Sequence, residues 1–166
     1  PARVVDVGTG SGCIAVTLAL ERPRTTVIAT DISHAALALA RRNAAALGAR
    51  VEFVESDLLA AAPGPFDLVI SNPPYIAEGD WPTLQREVRD HEPRTALLAG
   101  PAGTEIYARL IPQAHAALRP GGWLVLELGY DSAPAVRALL AGGEWSRDAT
   151  RRDEKGWERV LTARRS

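Results

Sequence analysis

The chain has 166 residues, enough to bury the core of one domain, and residues 1–166 are expected to form a single one. Apolar side chains make up 46% and charged ones 23%, the balance of a globular protein and not of a disordered one. Nineteen basic against twenty acidic side chains leave a net charge of −1, which builds in no attraction toward a polyanion, and no apolar run reaches the length of a membrane span.

The chain opens on Pro1, directly ahead of a strand, and contains no Met, so an N-terminal portion is expected to be missing. Residues 3–7 are a β-branched run that stops at Gly8-Thr9-Gly10-Ser11-Gly12, and residues 13–20 carry small and apolar side chains at helical spacing. This reads as strand, Gly-rich turn, helix. Glycine permits φ > 0 and close approach to a ligand, and the helix that follows offers unpaired N–H groups. A dinucleotide fingerprint would place its third Gly where Cys13 stands, so the pattern is G-x-G-x-G. Taken alone, such a turn also serves purely steric needs. Cys13 is the one cysteine, which excludes an internal disulfide and fits a reducing cytoplasm.

Residues 25–30 form a second strand that ends on Asp31, 21 residues beyond Gly10. A carboxylate there can accept from both hydroxyls of a ribose, or it can act as a helix cap or a solvated acid. Ser33 can cap the next helix, residues 35–47, which stops at Gly48. A third strand, residues 51–54, leads to Ser56-Asp57-Leu58. Asp57 can accept from an adenine amino group with Leu58 packed on the ring, or it is a turn residue.

A fourth strand, residues 66–70, closes on Ser71-Asn72-Pro73-Pro74-Tyr75. Two consecutive prolines hold this stretch extended and leave carbonyls unpaired. The Asn72 carboxamide oxygen and the Pro73 carbonyl make two acceptors, which suit a planar NH2 group, and Tyr75 can cover its face. An isolated Pro-Pro turn merely ends a strand; the Gly-rich turn upstream favours a site. Residues 77–103 are read as a polar, aromatic-bearing loop of lid-like length. His91 has no Cys or His companion at ligand spacing and is read as a surface residue with no metal. A helix over residues 105–118 ends at Arg119-Pro120-Gly121-Gly122, and residues 123–128 form a strand in which Glu127 is unusual. A short helix over 133–141, a charged stretch over 144–156 that is part strand and part hairpin loop, and a terminal strand over 157–162 complete the chain.

Strand and helix alternate, which predicts an open, mostly parallel α/β sheet with helices on both faces. Ligands bind such sheets outside the carboxyl ends of the strands at the switch point, and Gly8 to Gly12, Asp31, Asp57 and Asn72 to Tyr75 all fall there.

Val5-Asp6-Val7-Gly8-Thr9-Gly10-Ser11-Gly12-Cys13-Ile14-Ala15, Asp31-Ile32-Ser33, Phe66-Asp67-Leu68-Val69-Ile70-Ser71-Asn72-Pro73-Pro74-Tyr75-Ile76 and Glu87-Val88-Arg89-Asp90-His91-Glu92-Pro93 together resemble the HemK/PrmC family. Its members are S-adenosylmethionine-dependent N5-glutamine methyltransferases acting on the Gln of the Gly-Gly-Gln motif in peptide chain release factors. Arg119-Pro120-Gly121-Gly122 and Leu126-Glu127-Leu128-Gly129 extend the resemblance over nearly the whole chain. Tyr130-Asp131-Ser132 stands where the family often has a Gln, and Pro101-Ala102-Gly103 where it often has Asp-Gly. The resemblance implies a Rossmann-like S-adenosylmethionine-dependent methyltransferase fold, its mostly parallel sheet carrying an antiparallel C-terminal strand. It implies that Gly8, Thr9, Gly10, Ser11 and Gly12 hold the methionine end of S-adenosyl-L-methionine, Asp31 and Ile32 the ribose, and Asp57 with Leu58 the adenine. Asn72 and the Pro73 carbonyl would hold the acceptor amide, Pro74 and Tyr75 would complete that turn, and Asn72 would also border the cofactor. The implied product is S-adenosyl-L-homocysteine and the implied partner a release factor, for a monomeric enzyme in the cytoplasm with neither membrane nor nucleic acid as partner. The family's N-terminal substrate-binding domain is expected to be the portion missing.

The alternative enzyme is a methyltransferase for the exocyclic amino group of adenine or guanine in DNA or RNA, which would use the same turn on a flipped base and predicts a basic groove. A cofactor-binding module without catalysis would not need an intact Asn72 to Tyr75 turn, and a dehydrogenase is disfavoured by Cys13.

Overall fold

A computed structural model describes residues 1–91 and 93–166. Glu92 and the side chains of Val88 and His91 lie outside the described residues, and with them the reading of His91 as a surface residue.

Four consecutive buried positions in β1 (Arg3–Val7) cover the strand on both faces, the pattern of a central strand in a parallel sheet. It is followed by α1 (Cys13–Glu21), β2 (Thr26–Asp31), α2 (His34–Leu47), β3 (Glu52–Glu55) and β4 (Phe66–Ser71). Beyond them come β5 (Ile76–Ala77), a 3-10 helix (Glu78–Thr83), α3 (Arg86–His91), α4 (Arg94–Leu97) and β6 (Leu98–Gly100). The chain ends with α5 (Glu105–Ala117), β7 (Leu118–Glu127), α6 (Ala133–Leu139), β8 (Trp145–Arg152) and β9 (Glu158–Arg165).

Seven strands form one sheet in the order β3-β2-β1-β4-β7-β9-β8. The first five pair in parallel, and β9 pairs antiparallel with both β7 and β8. The mostly parallel sheet with an antiparallel C-terminal strand is therefore present, with β8 as an added edge strand. Strand order reverses between β1 and β4, so their carboxyl ends flank the switch point.

Val5, Val7, Phe66, Val69, Tyr107, Leu124, Leu126 and Leu161 meet in the larger core cluster, under α5 and α6. Burying each large side chain there stabilises the fold by about 1.5–3 kcal/mol. A smaller cluster, Ala15, Ala19, Val27 and Ala29, joins α1 to the other face. Ser33 caps α2 by accepting from the Ala36 N–H at 3.2 Å, and Gly48 ends that helix at φ 70°, as the sequence predicts.

The stretch over 77–103, read from the sequence as a polar, aromatic-bearing loop of lid-like length, is instead a chain of short elements, and β5 and β6 form a separate two-stranded sheet. The Arg94 guanidinium lies 4.6 Å from the centroid of the Trp81 ring and helps to fasten them. Elements of two to six residues are too short for hydrophobic periodicity to reveal. The expected break at Arg119-Pro120-Gly121-Gly122 lies within β7, where a register shift against β4 and Gly121 at φ 77° absorb the irregularity. Among the described residues, no helix is long and apolar enough to cross a membrane.

Candidate active site

The Gly-rich turn begins where β1 can no longer stay extended, and Gly8, Gly10 and Gly12 all have positive φ, at 70°, 56° and 85°. A Cβ at Gly8 or Gly10 would meet nothing within 4 Å, so the turn is open above them. At Gly12 a Cβ would lie 3.0 Å from Cβ of Ala40, because α1 and α2 close on each other there. Both Gly8 and Thr9 donate their amides to the Thr30 carbonyl, at 2.8 and 2.9 Å, which ties the turn to the end of β2.

Asp6 supports the turn from below. Its Oδ2 accepts from the Thr9 hydroxyl at 2.6 Å and from the Ala15 N–H at 3.1 Å, while its buried Oδ1 has no hydrogen-bond partner among the described residues. Burial pushes this carboxyl up to about 6 against the pull of the Thr9 and Ala15 hydrogen bonds, and the Asp31 carboxylate adds to the push. Sequence reasoning assigned Asp6 no role, although a charged residue inside a β-branched run was the available signal.

Asp31, at the end of β2, accepts from the Gly10 N–H at 2.9 Å through Oδ2 and from the Ser33 N–H at 2.8 Å through Oδ1. Each oxygen keeps a further lone pair for another donor. Beside it Ile32 is 66% exposed, an apolar surface next to a fixed carboxylate. Beyond β3, Ser56 is buried, its amide bonded to the Asp31 carbonyl at 3.0 Å and its hydroxyl accepting from the Ala61 N–H at 2.9 Å. Asp57 is exposed and paired with Arg109 of α5, an interaction the sequence did not suggest. Leu58 is half-buried against the main core with φ 53°.

The end of β4 is joined to the end of β1 by the buried Ser71 hydroxyl, which donates to the Val7 carbonyl at 2.6 Å. Asn72 is exposed, Pro73 buried, and Pro74 and Tyr75 half-buried. The Tyr75 ring packs so closely on Gly129 that a Cβ there would lie 2.8 Å from it, and its hydroxyl is 3.5 Å from Oε1 of Glu127. Tyr107 donates its hydroxyl to the Glu127 carbonyl at 2.7 Å, and burial raises its pKa, so it stays neutral. Glu127 thus sits where β7 emerges beside the Tyr75 turn. A concavity of about 870 Å³ lined by residues 1–2 and 21–25 opens at the amino ends of β1 and β2, away from all of these groups.

The chain matches the model of the methyltransferase small domain over residues 1–88. It is 48% identical over 165 residues to a protein named release factor glutamine methyltransferase from Koribacter versatilis, covering 98% of this chain and 58% of that one. It is 54% identical over 144 residues to a protein of the same name from Chlorobaculum tepidum, covering 82% of this chain and 49% of that one. The chain spans about half the length of these curated relatives. Among solved structures, a methyltransferase from Pyrococcus furiosus superposes with TM-score 0.72 at 20% identity, over 98% of this chain and 74% of that one. A 16S rRNA methyltransferase from T. thermophilus in complex with AdoMet and guanosine superposes with TM-score 0.70 at 19% identity, over 99% of this chain and 38% of that one. At such identities these two likenesses speak for the fold alone.

Proposed function

The chain belongs to the methyltransferase small domain family, and we propose that it is the catalytic part of a release factor glutamine methyltransferase, moving a methyl group from S-adenosylmethionine to the side-chain amide of the Gln in a Gly-Gly-Gln motif. The supporting observation is the exposed Asn72 carboxamide on a Pro-Pro turn fastened by Ser71 to the strand that leads into the Gly turn. The choice of acceptor rests on the similarity to proteins named release factor glutamine methyltransferase.

The residues present suit S-adenosylmethionine. Open space above Gly8 and Gly10 leaves room at the turn, Asp31 has lone pairs for a ribose diol, and the exposed Ile32 offers an apolar face beside it. Asp57 would take the adenine amino group with the oxygen not engaged by Arg109. When bound, the cofactor supplies an electrophilic methyl group on a sulfonium whose leaving group is neutral S-adenosylhomocysteine.

The protein's task is then positional. An amide nitrogen is a poor nucleophile because its lone pair is delocalised. Asn72 Oδ1 and the Pro73 carbonyl would accept both hydrogens of the acceptor NH2, favouring a nitrogen that turns pyramidal as the new bond forms. Tyr75, held against Gly129, would cover the amide plane. The nitrogen gains the methyl and releases one proton to solvent at the exposed Asn72 edge. A nucleobase amino group fits the same two acceptors, so the test offers labelled cofactor with a release factor and with DNA or RNA in parallel. Label in the release factor alone is expected; label in nucleic acid alone overturns the assignment.

A further inference from the structure

Resting on the function proposed above, we propose that the exposed aromatic pair Tyr130–Trp157 is the docking surface for the polypeptide segment that presents its glutamine to Asn72. Tyr130 is 66% and Trp157 40% exposed, and their rings meet edge to face with centroids 4.4 Å apart. Large aromatic side chains left in water beside a site are the usual anchors of an interface.

Topology places the pair on the acceptor side. The cofactor-directed groups stand at the ends of β1, β2 and β3, on one flank of the switch point, and the Asn72 turn follows β4. Beyond it the carboxyl edge continues with the end of β7, the start of β9, which runs the opposite way, and the end of β8. Tyr130 directly follows Gly129, the residue packed under the Tyr75 ring, and Trp157 directly precedes β9. The pair is therefore continuous with the acceptor turn and clear of the cofactor side.

The rings are exposed yet rigidly carried. Leu128 donates its amide to the Arg159 carbonyl at 2.8 Å, and Arg159 Nη1 returns a bond to the Leu128 carbonyl at 2.8 Å. Asp153 pairs with Arg159 and accepts the amides of Lys155 and Trp157, both at 3.0 Å, while Ser132 Oγ donates to the Gly129 carbonyl at 3.0 Å. A preorganised aromatic surface loses little conformational freedom on binding. In the turns over 129–132 and 152–157 Asp153 is paired with Arg159, and Asp131 and Glu154 stand against Lys155 and Arg152, whose guanidinium donates to the Gly156 carbonyl. The surface therefore carries no net basic charge of the kind that binds a phosphodiester backbone, and its exposed rings suit an extended polypeptide.

The test is steady-state kinetics of the full chain on an intact release factor, with cofactor affinity measured alongside. Replacing both residues, Tyr130→Ala with Trp157→Ala, is expected to raise KM for the release factor roughly tenfold or more, with kcat and cofactor affinity within about twofold of the parent. Tyr130→Phe with Trp157→Phe, which keeps both ring faces, should stay near the parent KM. An unchanged KM in the alanine pair overturns the docking surface while leaving the proposed function intact. Should the alanine pair lose the cofactor, Tyr130→Asp at its exposed position decides: a raised KM supports docking and an unchanged one overturns it. A parent chain that methylates nucleic acid instead of the release factor, or neither, overturns the function and the docking surface together.

Discussion

The Gly10 amide donates to Oδ2 of Asp31 at 2.9 Å, so the Gly-rich turn and the carboxylate at the end of β2 are held as one unit. Asp31→Ala therefore removes both the proposed ribose acceptor and an anchor of the turn. A loss of about 1.5–3 kcal/mol in S-adenosylmethionine affinity is expected, the range for hydrogen bonds to a charged group. Calorimetric titration measures it, and unchanged affinity would contradict the assignment of Asp31.

Asn72→Ala should separate catalysis from cofactor binding. Pro73 and Pro74 set the shape of the turn, so the mutation removes an acceptor and leaves the backbone in place. Methyl transfer is expected to fall by about two orders of magnitude or more, as when one preorganised hydrogen-bonding group is lost, with cofactor affinity nearly unchanged. Near-parental turnover on a release factor would remove Asn72 from the mechanism.

Ser71→Ala tests the joint between β4 and β1. Leaving the Val7 carbonyl without its buried partner should cost about 1–3 kcal/mol in stability. Because Asn72 follows directly, kcat should fall as well, while cofactor affinity changes little. A purely structural serine would lower the denaturation midpoint without moving kcat at temperatures where the variant is folded.

The Asp6 carboxyl titrates at about 6 in the fold against 3.8 as its ordinary value. Between these values the folded protein keeps a proton that the unfolded chain has released, so this group's contribution favours the fold at low pH and is lost as pH rises through about 6. Roughly two pKa units correspond to about 3 kcal/mol at 1.36 kcal/mol per unit. Asp6→Asn should therefore gain stability relative to the parent, by up to about that amount, on moving from pH 4 to pH 7. Denaturant unfolding of both proteins across that range checks it; a difference that does not vary with pH would contradict the buried ionisation.

Much of the candidate site was legible because glycine, proline and carboxylates at strand ends leave local signals. Gly8 to Gly12, Asp31 and Asn72 to Tyr75 punctuate apolar runs, and the alternation of strand and helix places them on one edge. Ion pairing between Asp57 and Arg109, 52 residues apart, has no such signal because it depends on where α5 packs. The same holds for Gly129 under the Tyr75 ring. Asp6 was visible as a charge within a β-branched run, but only the fold shows that its carboxylate joins Thr9 to the start of α1. The short elements between Ala77 and Gly103 carry too few residues for periodicity to distinguish them from loop.

The most direct measurement is mass-spectrometric mapping of a release factor after incubation with S-adenosylmethionine and the chain. The account predicts one added methyl group on the side-chain amide of the Gln in the Gly-Gly-Gln motif, and none when the chain carries Asn72→Ala. A methyl group on any other residue, or on that Gln in undiminished yield with Asn72→Ala, would contradict it.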